Sequence, residues 1–194
     1  SGAAEDLRCG PPLRSVVRRV LTPELMDDPG VSRADLDRSL RYIRAVNRRL
    51  GGVSSLLRHL QEWSRQWPKG RAITLLDIGT GSADLPIEAV KWASQTGFDL
   101  KVTAVDLHPT TLDLAREHIA RCEHEVDRRG GGAGEGWLSG AIELQEVNAL
   151  RLMDHFAPGS FDYVHAGLFL HHLPEIEVLT MLRIMDRLSR AGLV

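Results

Sequence analysis

The sequence has few cysteines and no long apolar run. Its two cysteines, Cys9 and Cys122, lie far apart, and neither has a second cysteine or a histidine at the spacing of zinc ligands. We therefore expect reduced thiols, a cytoplasmic location and no metal site. No stretch approaches the roughly 20 apolar residues that cross a bilayer, and the first ten residues lack the basic and apolar regions of a secretory signal. We expect no membrane partner.

An excess of positive charge is also absent, since the formal net charge is -2. Proteins that bind nucleic acid without sequence preference neutralise phosphates with many Lys and Arg side chains, so we do not expect a nucleic-acid partner. Residues 33–58 depart from this balance, with seven arginines and two acids. This stretch is either the solvated face of a helix or a surface that meets an anionic substrate or partner.

Residues 12–67 have the residue spacing of helices. Ser32 is a good N-cap, and the apolar residues that follow form one stripe on an otherwise polar helix, at positions 36, 40, 43, 46 and 50. Gly51 and Gly52 end this helix, and a second one is predicted before Pro68. A helix with a single apolar stripe packs against one partner surface. We predict that residues 1–69 form a helical cap, in which the helices of residues 32–67 cover the carboxyl ends of the strands as a lid.

From residue 70 onward, short apolar runs alternate with helical patterns. Strands are predicted at residues 72–77, 101–106, 142–147 and 161–165, and helices at 83–95, from Pro109 onward and at 174–190. Strands that alternate with helices predict a parallel sheet with right-handed crossovers. The fold class is therefore α/β, and residues 70–194 form one Rossmann-like domain with about four parallel strands. The glycine-rich segment 128–140 is predicted to be a flexible loop.

The segment LLDIGTGSADLP, residues 75–86, carries the clearest chemical information. A strand ends at Asp77, Gly79 and Gly81 follow, and a helix begins. Glycines allow a tight turn and let the backbone approach a ligand closely. A dinucleotide site needs Gly or Ala at the sixth position counted from Gly79. That position is Asp84, whose carboxylate would repel a pyrophosphate. The Lys-Ser/Thr pair of an ATP-binding P-loop is absent as well.

Two further acids define the ligand. Asp77 lies at the end of its strand, where a carboxylate favours a cationic group over a phosphate. Asp106 closes the second predicted strand, 25 residues after Gly81, where a carboxylate can accept hydrogen bonds from a ribose diol. Asp106 can equally serve as the N-cap of the helix that starts near Pro109, and both roles can hold at once. Together these residues predict a small, zwitterionic, partly cationic cofactor.

At this point the sequence resembles a known family. The segments LLDIGTGSADLP, TAVDLHPTTLDLAR, QEVNALRL and SFDYVHAGLFLHHLP, in this order, resemble the class I S-adenosylmethionine (SAM)-dependent methyltransferases over residues 71–194. The stretch PELMDD…RSLRYIRAVNRRLGG resembles, more loosely, the helical cap of small-molecule enzymes distantly similar to ubiquinone/menaquinone C-methyltransferases. The resemblance implies SAM as cofactor and methyl transfer to O or C of a small, aromatic or polyketide-like metabolite.

The resemblance also implies which residues hold the cofactor. Asp77, Asp84 and the backbone of Gly79, Thr80 and Gly81 would surround its methionine part. The other implied contacts are Asp106 on the ribose, Leu107, Asn148 and Ala149 on the adenine, and the backbone of His165 and Ala166 on the amino group. Two positions depart from the family pattern. Ala83 replaces its third glycine, and Asn148 replaces a frequent aspartate.

Three histidines cluster around the end of the fourth predicted strand, His165, His171 and His172. Histidine titrates near neutrality, so it can take a proton from a hydroxyl or an activated carbon. His171 and His172 are therefore candidate catalytic residues. The alternative for both is a structural role at the start of the next helix.

The predicted sheet has fewer strands than the sheet of the family it resembles. We therefore expect a chain that is truncated at its C-terminus, with its fourth strand as an open edge and a homodimer formed through that edge. Two other functions stay open. The arginines of residues 33–58 favour an RNA methyltransferase, and the missing strands favour a SAM-binding module without catalysis.

Overall fold

A computed structural model describes residue 28, residues 30–128 and residues 136–194. The first part of the predicted cap, Cys9 and most of the glycine-rich loop lie outside the described residues. The helices are α1 (Arg33–Arg49), α2 (Gly52–Ser64), α3 (Asp84–Thr96), α4 (Pro109–Arg128), α5 (Leu152–His155) and α6 (Glu175–Leu188). The strands are β1 (Ile73–Ile78), β2 (Leu100–Asp106), β3 (Ile142–Glu146), β4 (Phe161–His165) and β5 (Ser189–Leu193). Short 3₁₀ turns cover Ala149–Arg151 and Leu170–His172.

The strands form one parallel sheet in the order β3-β2-β1-β4-β5. This confirms the predicted α/β, Rossmann-like class. The chain builds outward from β1 to β3 and then returns to build outward from β4 to β5, so the strand order reverses between β1 and β4. In open parallel sheets, ligands bind in the crevice outside the carboxyl ends of the strands at such a reversal. The register places Asp77 beside Ala104 on one side and His165 on the other.

The prediction of about four strands is wrong, because β5 is a fifth. Helical spacing predicts a helix through Arg190, but α6 ends at Leu188 and Ser189–Leu193 is a strand. The segment SRAGL is short and contains no apolar run, so its strand signal is weak. Phe161 pairs with Ser189 and Val164 with Leu193. The expectation that β4 is an open edge is therefore wrong, because β4 pairs with β1 on one side and with β5 on the other.

Each face of the sheet is covered by a separate hydrophobic core. On one face Leu75 of β1 packs with side chains of α2, α3 and α4, including Leu60, Ile87 and Ile119. On the other face its neighbour Leu76 packs with α6, including Met181 and Met185. Strands that are buried on both faces need apolar residues at consecutive positions. This explains why β1 reads as a continuous apolar run.

The two N-terminal helices pack in different places. The side chain of Leu40 in α1 lies over the glycine loop, since a Cβ added to Gly81 would stand 3.3 Å from its Cδ2. In contrast, α2 runs along one face of the sheet, where the Trp63 ring stacks on Tyr163 of β4 with 4.2 Å between centroids. The place of the predicted lid is therefore occupied by α1 and by the start of α2, but not by the rest of α2. The division into a cap of residues 1–69 and a domain of residues 70–194 stays a prediction.

Within the described ranges, no helix combines the length and the apolar character needed to span a membrane.

Candidate active site

The glycine loop follows β1 and bends sharply. Gly79 and Gly81 have φ of 66° and 55°, in the left-handed region that glycine adopts most easily. Ala83, the N-cap of α3, shares this conformation at φ 55°. Gly79 has a packing reason as well as a conformational one, because a Cβ there would lie 2.6 Å from Cδ2 of Phe169. The loop therefore needs glycine at position 79 even before a ligand is considered.

Asp106 connects this loop to the start of α4. One carboxylate oxygen accepts from the Gly81 N–H at 3.0 Å and the other from the His108 N–H at 3.1 Å. Each oxygen keeps a second lone pair that can accept from a ribose hydroxyl. Burial raises the pKa of Asp106, although the N–H groups of His108 and Gly81 oppose this. The next side chain, Leu107, is 53% exposed, so its apolar surface is open to an adenine ring.

Asp77 and His165 form a buried pair at the carboxyl ends of β1 and β4. Asp77 Oδ1 lies 2.5 Å from His165 Nδ1, and both side chains are almost fully buried. Sequence reasoning placed both residues at strand ends but assigned only the backbone of His165 to the site. The side-chain contact could have been found by assuming that β1 and β4 are neighbours, because their ends then coincide.

Asp84 anchors α1 to the start of α3. Its Oδ2 accepts from the Asn47 Nδ2 at 3.0 Å. Burial raises the pKa of Asp84 and the nearby Asp77 carboxylate adds to the rise, while the Asn47 amide opposes it. Sequence reasoning missed Asn47, because a buried asparagine in an amphipathic helix has no distinctive spacing. The contact fixes α1 above the loop that carries Gly79 and Gly81.

Asn148 and Ala149 follow β3 on the same side of the sheet as Leu107. Asn148 is exposed and its Oδ1 accepts from the Leu150 N–H at 2.9 Å, so it caps the 3₁₀ turn Ala149–Arg151. This is the oxygen expected to meet the adenine amino group, and it has a lone pair left for that contact. Val147 N–H donates to the Asp106 carbonyl at 3.0 Å, which holds the ends of β2 and β3 together.

The segment after β4 closes the site from the other side. Leu168 has a φ of 52° and is 53% exposed, an uncommon conformation for a branched apolar residue. His171 and His172 lie in the 3₁₀ turn Leu170–His172 with their ring centroids 4.0 Å apart. The structure thus places both candidate histidines beside the glycine loop.

Two cavities meet at this point. The loop cavity, of about 240 Å³, lies between α1 and the glycine loop and is lined by Asp77, Gly79, Asp84, His171 and His172, among others. The apolar cavity, of about 400 Å³, lies between α1, α2 and the end of β4. The two share the side chains or backbone of Val46, Asn47, Leu85, Gly167 and Leu168. Because they share a wall, ligands in the two cavities would be neighbours.

The residues of the loop cavity, together with Asp106 beside the glycine loop, fit SAM. Thr80 Oγ1 is buried and has no hydrogen-bond partner among the residues that the structure describes. A buried unpaired hydroxyl is unfavourable by about 1–3 kcal/mol, so a polar ligand group would relieve it. The Asp106 carboxylate suits a ribose diol, and the Asp77 and Asp84 carboxylates suit a cationic ligand. Between them these groups match the ribose, the sulfonium and the amino group of SAM.

Comparison with known proteins agrees with this assignment. A family model described as "Methyltransferase domain" matches residues 76–192. Ribosomal protein L11 methyltransferase from Geotalea uraniireducens is 27% identical over 120 residues, which cover 62% of this chain and 29% of that protein. The chain therefore spans less than a third of the length of this curated relative.

A solved structure has a similar architecture. A protein assigned as a SAM-dependent methyltransferase from Methanococcus maripaludis superposes with a TM-score of 0.50 at 13% identity, over 79% of this chain and 59% of that one. A SAM-dependent methyltransferase from Aquifex aeolicus gives 0.49 at 16% identity, over 79% of this chain and 67% of that one. At such identities the likeness concerns the fold alone.

Proposed function

This chain belongs to the methyltransferase domain family, and from that premise we propose that it transfers the methyl group of SAM to O or C of a small, aromatic or polyketide-like metabolite. The class I resemblance and the SAM cofactor are supported by the family match; the quinone-enzyme likeness of the cap stays a prediction. When bound, SAM supplies a methyl group on a positively charged sulfur. The protein then has to bind the acceptor, align it and exclude water.

The apolar cavity is the observation that carries this proposal. Its walls are mostly aliphatic, with Leu50, Leu56 and Leu85 among them, and no Asp, Glu, Lys or Arg side chain is among its lining residues. It adjoins the loop cavity directly. An acceptor that fits here is small, uncharged and largely apolar, which agrees with an aromatic or polyketide-like molecule.

The proposed cofactor contacts extend from the loop cavity to the residues that follow β2 and β3. In this proposal Asp106 binds the ribose, Leu107, Asn148 and Ala149 flank the adenine, and Asp77 with the loop backbone holds the methionine part. Asp84 supports the site indirectly by holding Asn47 and therefore α1. His171 and His172 remain candidate catalytic residues, since they line the loop cavity.

The arginines of residues 33–58 do not favour RNA as the acceptor. Arg33 pairs with Glu117, Arg38 with Asp35 and Arg41 with Asp37. Three of the seven arginines are therefore paired within the protein, and none of the seven lines either cavity of the site. This favours a small molecule over RNA. A protein acceptor, which the name of the L11 relative indicates for that protein, would need an open cleft at the apolar cavity.

We also place the reaction in the cytoplasm, because the chain has few cysteines. Cys122 is a free, half-buried thiol, and burial raises its pKa. A protonated thiol of this kind is slow to oxidise.

The test is methyl transfer from SAM labelled in its methyl group. The protein is incubated with a panel of phenols and hydroxylated ketides, with total RNA and with a protein fraction, and the label is followed by mass spectrometry. We expect label in a small molecule and none in RNA or protein, and Asp106→Ala should reduce it. Label in RNA would support the RNA alternative instead. SAM binding with no transfer to any acceptor would favour a binding module.

A further inference from the structure

His165 has one ring nitrogen engaged and the other free. Nδ1 contacts Asp77 Oδ1 at 2.5 Å, and no other hydrogen bond joins the imidazole to any residue in the part of the chain that the structure describes. An ionised carboxylate can only accept, so Nδ1 carries the proton and Nε2 presents its lone pair. A carboxylate that fixes the tautomer in this way is the arrangement that prepares a histidine to act as a base.

The free nitrogen lies next to Gly167, in the wall of the apolar cavity. His165 is among the residues that line this cavity, whereas Asp77 lines the loop cavity. A Cβ added to Gly167 would lie 2.7 Å from Cε1 and 3.0 Å from Nε2 of His165. Gly167 does not have a left-handed φ, so the residue is needed for its missing side chain. Any larger residue would cover the nitrogen.

Few other titratable groups share this environment. Asp77 is bonded to His165, and Asp84 lies beyond Asp77 at the start of α3. His171 and His172 line the loop cavity but are not among the residues that line the apolar one. Among the side chains that line the apolar cavity, the imidazole of His165 is therefore the one that can act as a base.

Resting on the proposed function, we propose that the apolar cavity binds a phenol and that His165 Nε2 takes its hydroxyl proton. The O–H bond breaks, the Nε2–H bond forms, and the electron pair stays on the oxygen as a phenolate. The imidazolium that results is stabilised by the Asp77 carboxylate, which makes Asp77 a positioning residue. The phenolate is the nucleophile that the methyl group of SAM requires.

The test uses 4-nitrophenol as a probe, because its phenolate absorbs visible light and its neutral form does not. The probe is added to the protein in the presence of S-adenosylhomocysteine, the product of SAM, at a pH below that at which the free probe ionises. We expect the bound probe to be ionised in the wild type. In His165→Gln the ionised fraction should fall to that of the free probe, while calorimetry shows unchanged S-adenosylhomocysteine binding. His124→Gln, an exposed histidine on α4, should behave as the wild type.

Other outcomes overturn the proposal. An unchanged ionised fraction in His165→Gln, or its loss in His171→Gln instead, would show that another base acts. Loss of S-adenosylhomocysteine binding in His165→Gln would assign the residue to the cofactor site. If that variant does not fold, nitrogen NMR of the wild-type imidazole decides, since only a phenol at Nε2 shifts that resonance on addition of the probe.

The assay with labelled SAM separates this inference from the proposed function. Transfer to carbon acceptors with no transfer to phenols would agree with the proposed function. It would refute the inference that the apolar cavity binds a phenol. With a phenolic substrate, His165→Gln should lower kcat by about 10²–10⁴-fold, the usual contribution of a general base, with little change in the SAM affinity. No transfer to any acceptor would refute the proposed function itself.

Discussion

At the scale of single residues, Asp106 shows how one side chain serves both the fold and the ligand. Its two oxygens hold Gly81 and His108, and the residue ends β2 at the end of the sheet where the crevice lies. The sequence predicts both roles, because each depends only on the position of an acid at the end of β2. The contact of His165 with Asp77 was not predictable in this way, because it depends on which strands are neighbours.

Asp106→Ala should weaken S-adenosylhomocysteine binding by roughly 1–3 kcal/mol, the range for lost hydrogen bonds to a charged group. Titration calorimetry measures this directly. Asp113→Ala is the control, since Asp113 is an exposed acid on α4 that pairs with Arg116. Normal binding by Asp106→Ala would mean that the ribose assignment is wrong.

Asp84→Asn should make the protein more stable at neutral pH. Burial raises the pKa of Asp84, so folding favours its protonated form, and the stability linked to that form is lost as the pH rises through the folded pKa. Asparagine resembles the protonated acid and can still accept from Asn47.

Urea denaturation at neutral and acidic pH checks this. The gain in unfolding free energy should be present near neutrality and should fade as the pH falls below the pKa of an unfolded aspartate. Asp99→Asn, an exposed acid, should show no such trend. A gain in unfolding free energy that grows toward acidic pH would contradict the raised pKa of Asp84.

At the scale of elements, helices were easier to predict than the last strand. The Ser32 side chain accepts from the Asp35 N–H and α1 starts at Arg33, as the N-cap signal predicts. The strand β5 was missed because a strand at the sheet edge needs little apolar character. Its pairing with β4 is a long-range interaction that local spacing does not report.

Asp162 ties the amino ends of β1, β4 and β5 together. Its carboxylate is 5% exposed and accepts from Arg71 twice, at 3.1 Å each, and from the Thr74 N–H at 2.9 Å. Burial alone would raise the pKa of Asp162, but Arg71 and Thr74 outweigh it and lower the value. The resulting stability is present above the pKa of an unfolded aspartate and is lost as the pH falls through the lower folded pKa.

Asp162→Ala should lower the free energy of unfolding by about 1–3 kcal/mol, because the Thr74 N–H loses its acceptor. The deficit should shrink under acidic conditions, where the wild type loses the same contact. Chemical denaturation of both proteins across this pH range measures it. Asp154→Ala removes an exposed pair with Arg151 and should change stability by less than about 1 kcal/mol. If the two variants lower the free energy of unfolding equally, Asp162 does not stabilise the sheet in this way.

Asn47→Ala should loosen α1 from the glycine loop, because the Asp84 carboxylate loses the amide that holds the helix. Hydrogen exchange should become faster in α1 and stay unchanged in α2, which is fixed by Leu56 and Leu60 in the core. Arg49→Ala, on the exposed side of the same helix, serves as the control. If α1 exchanges in Asn47→Ala at the same rate as in the wild type, the contact between Asn47 and Asp84 does not anchor α1.

At the scale of the whole molecule, the order of the strands in the sheet forms the site, and the number of strands is less important for it. The reversal between β1 and β4 gathers Asp77, Asp106 and His165 at one end of the sheet, and this follows from the β-α alternation in the sequence. The homodimer through a sheet edge stays a prediction, but β4 is not that edge, since it lies between β1 and β5. The outer strands of the sheet are β3 and β5, and in β5 Arg190 hydrogen-bonds back to the Ser160 carbonyl.

The central claim is that the glycine loop and Asp106 form a SAM site, and calorimetry with two ligands tests it most directly. The protein is titrated separately with S-adenosylhomocysteine and with NAD under the same conditions. We expect saturable binding of S-adenosylhomocysteine and no heat of binding with NAD, since the Asp77 and Asp84 carboxylates disfavour a pyrophosphate. Binding of NAD with no response to S-adenosylhomocysteine would contradict the account.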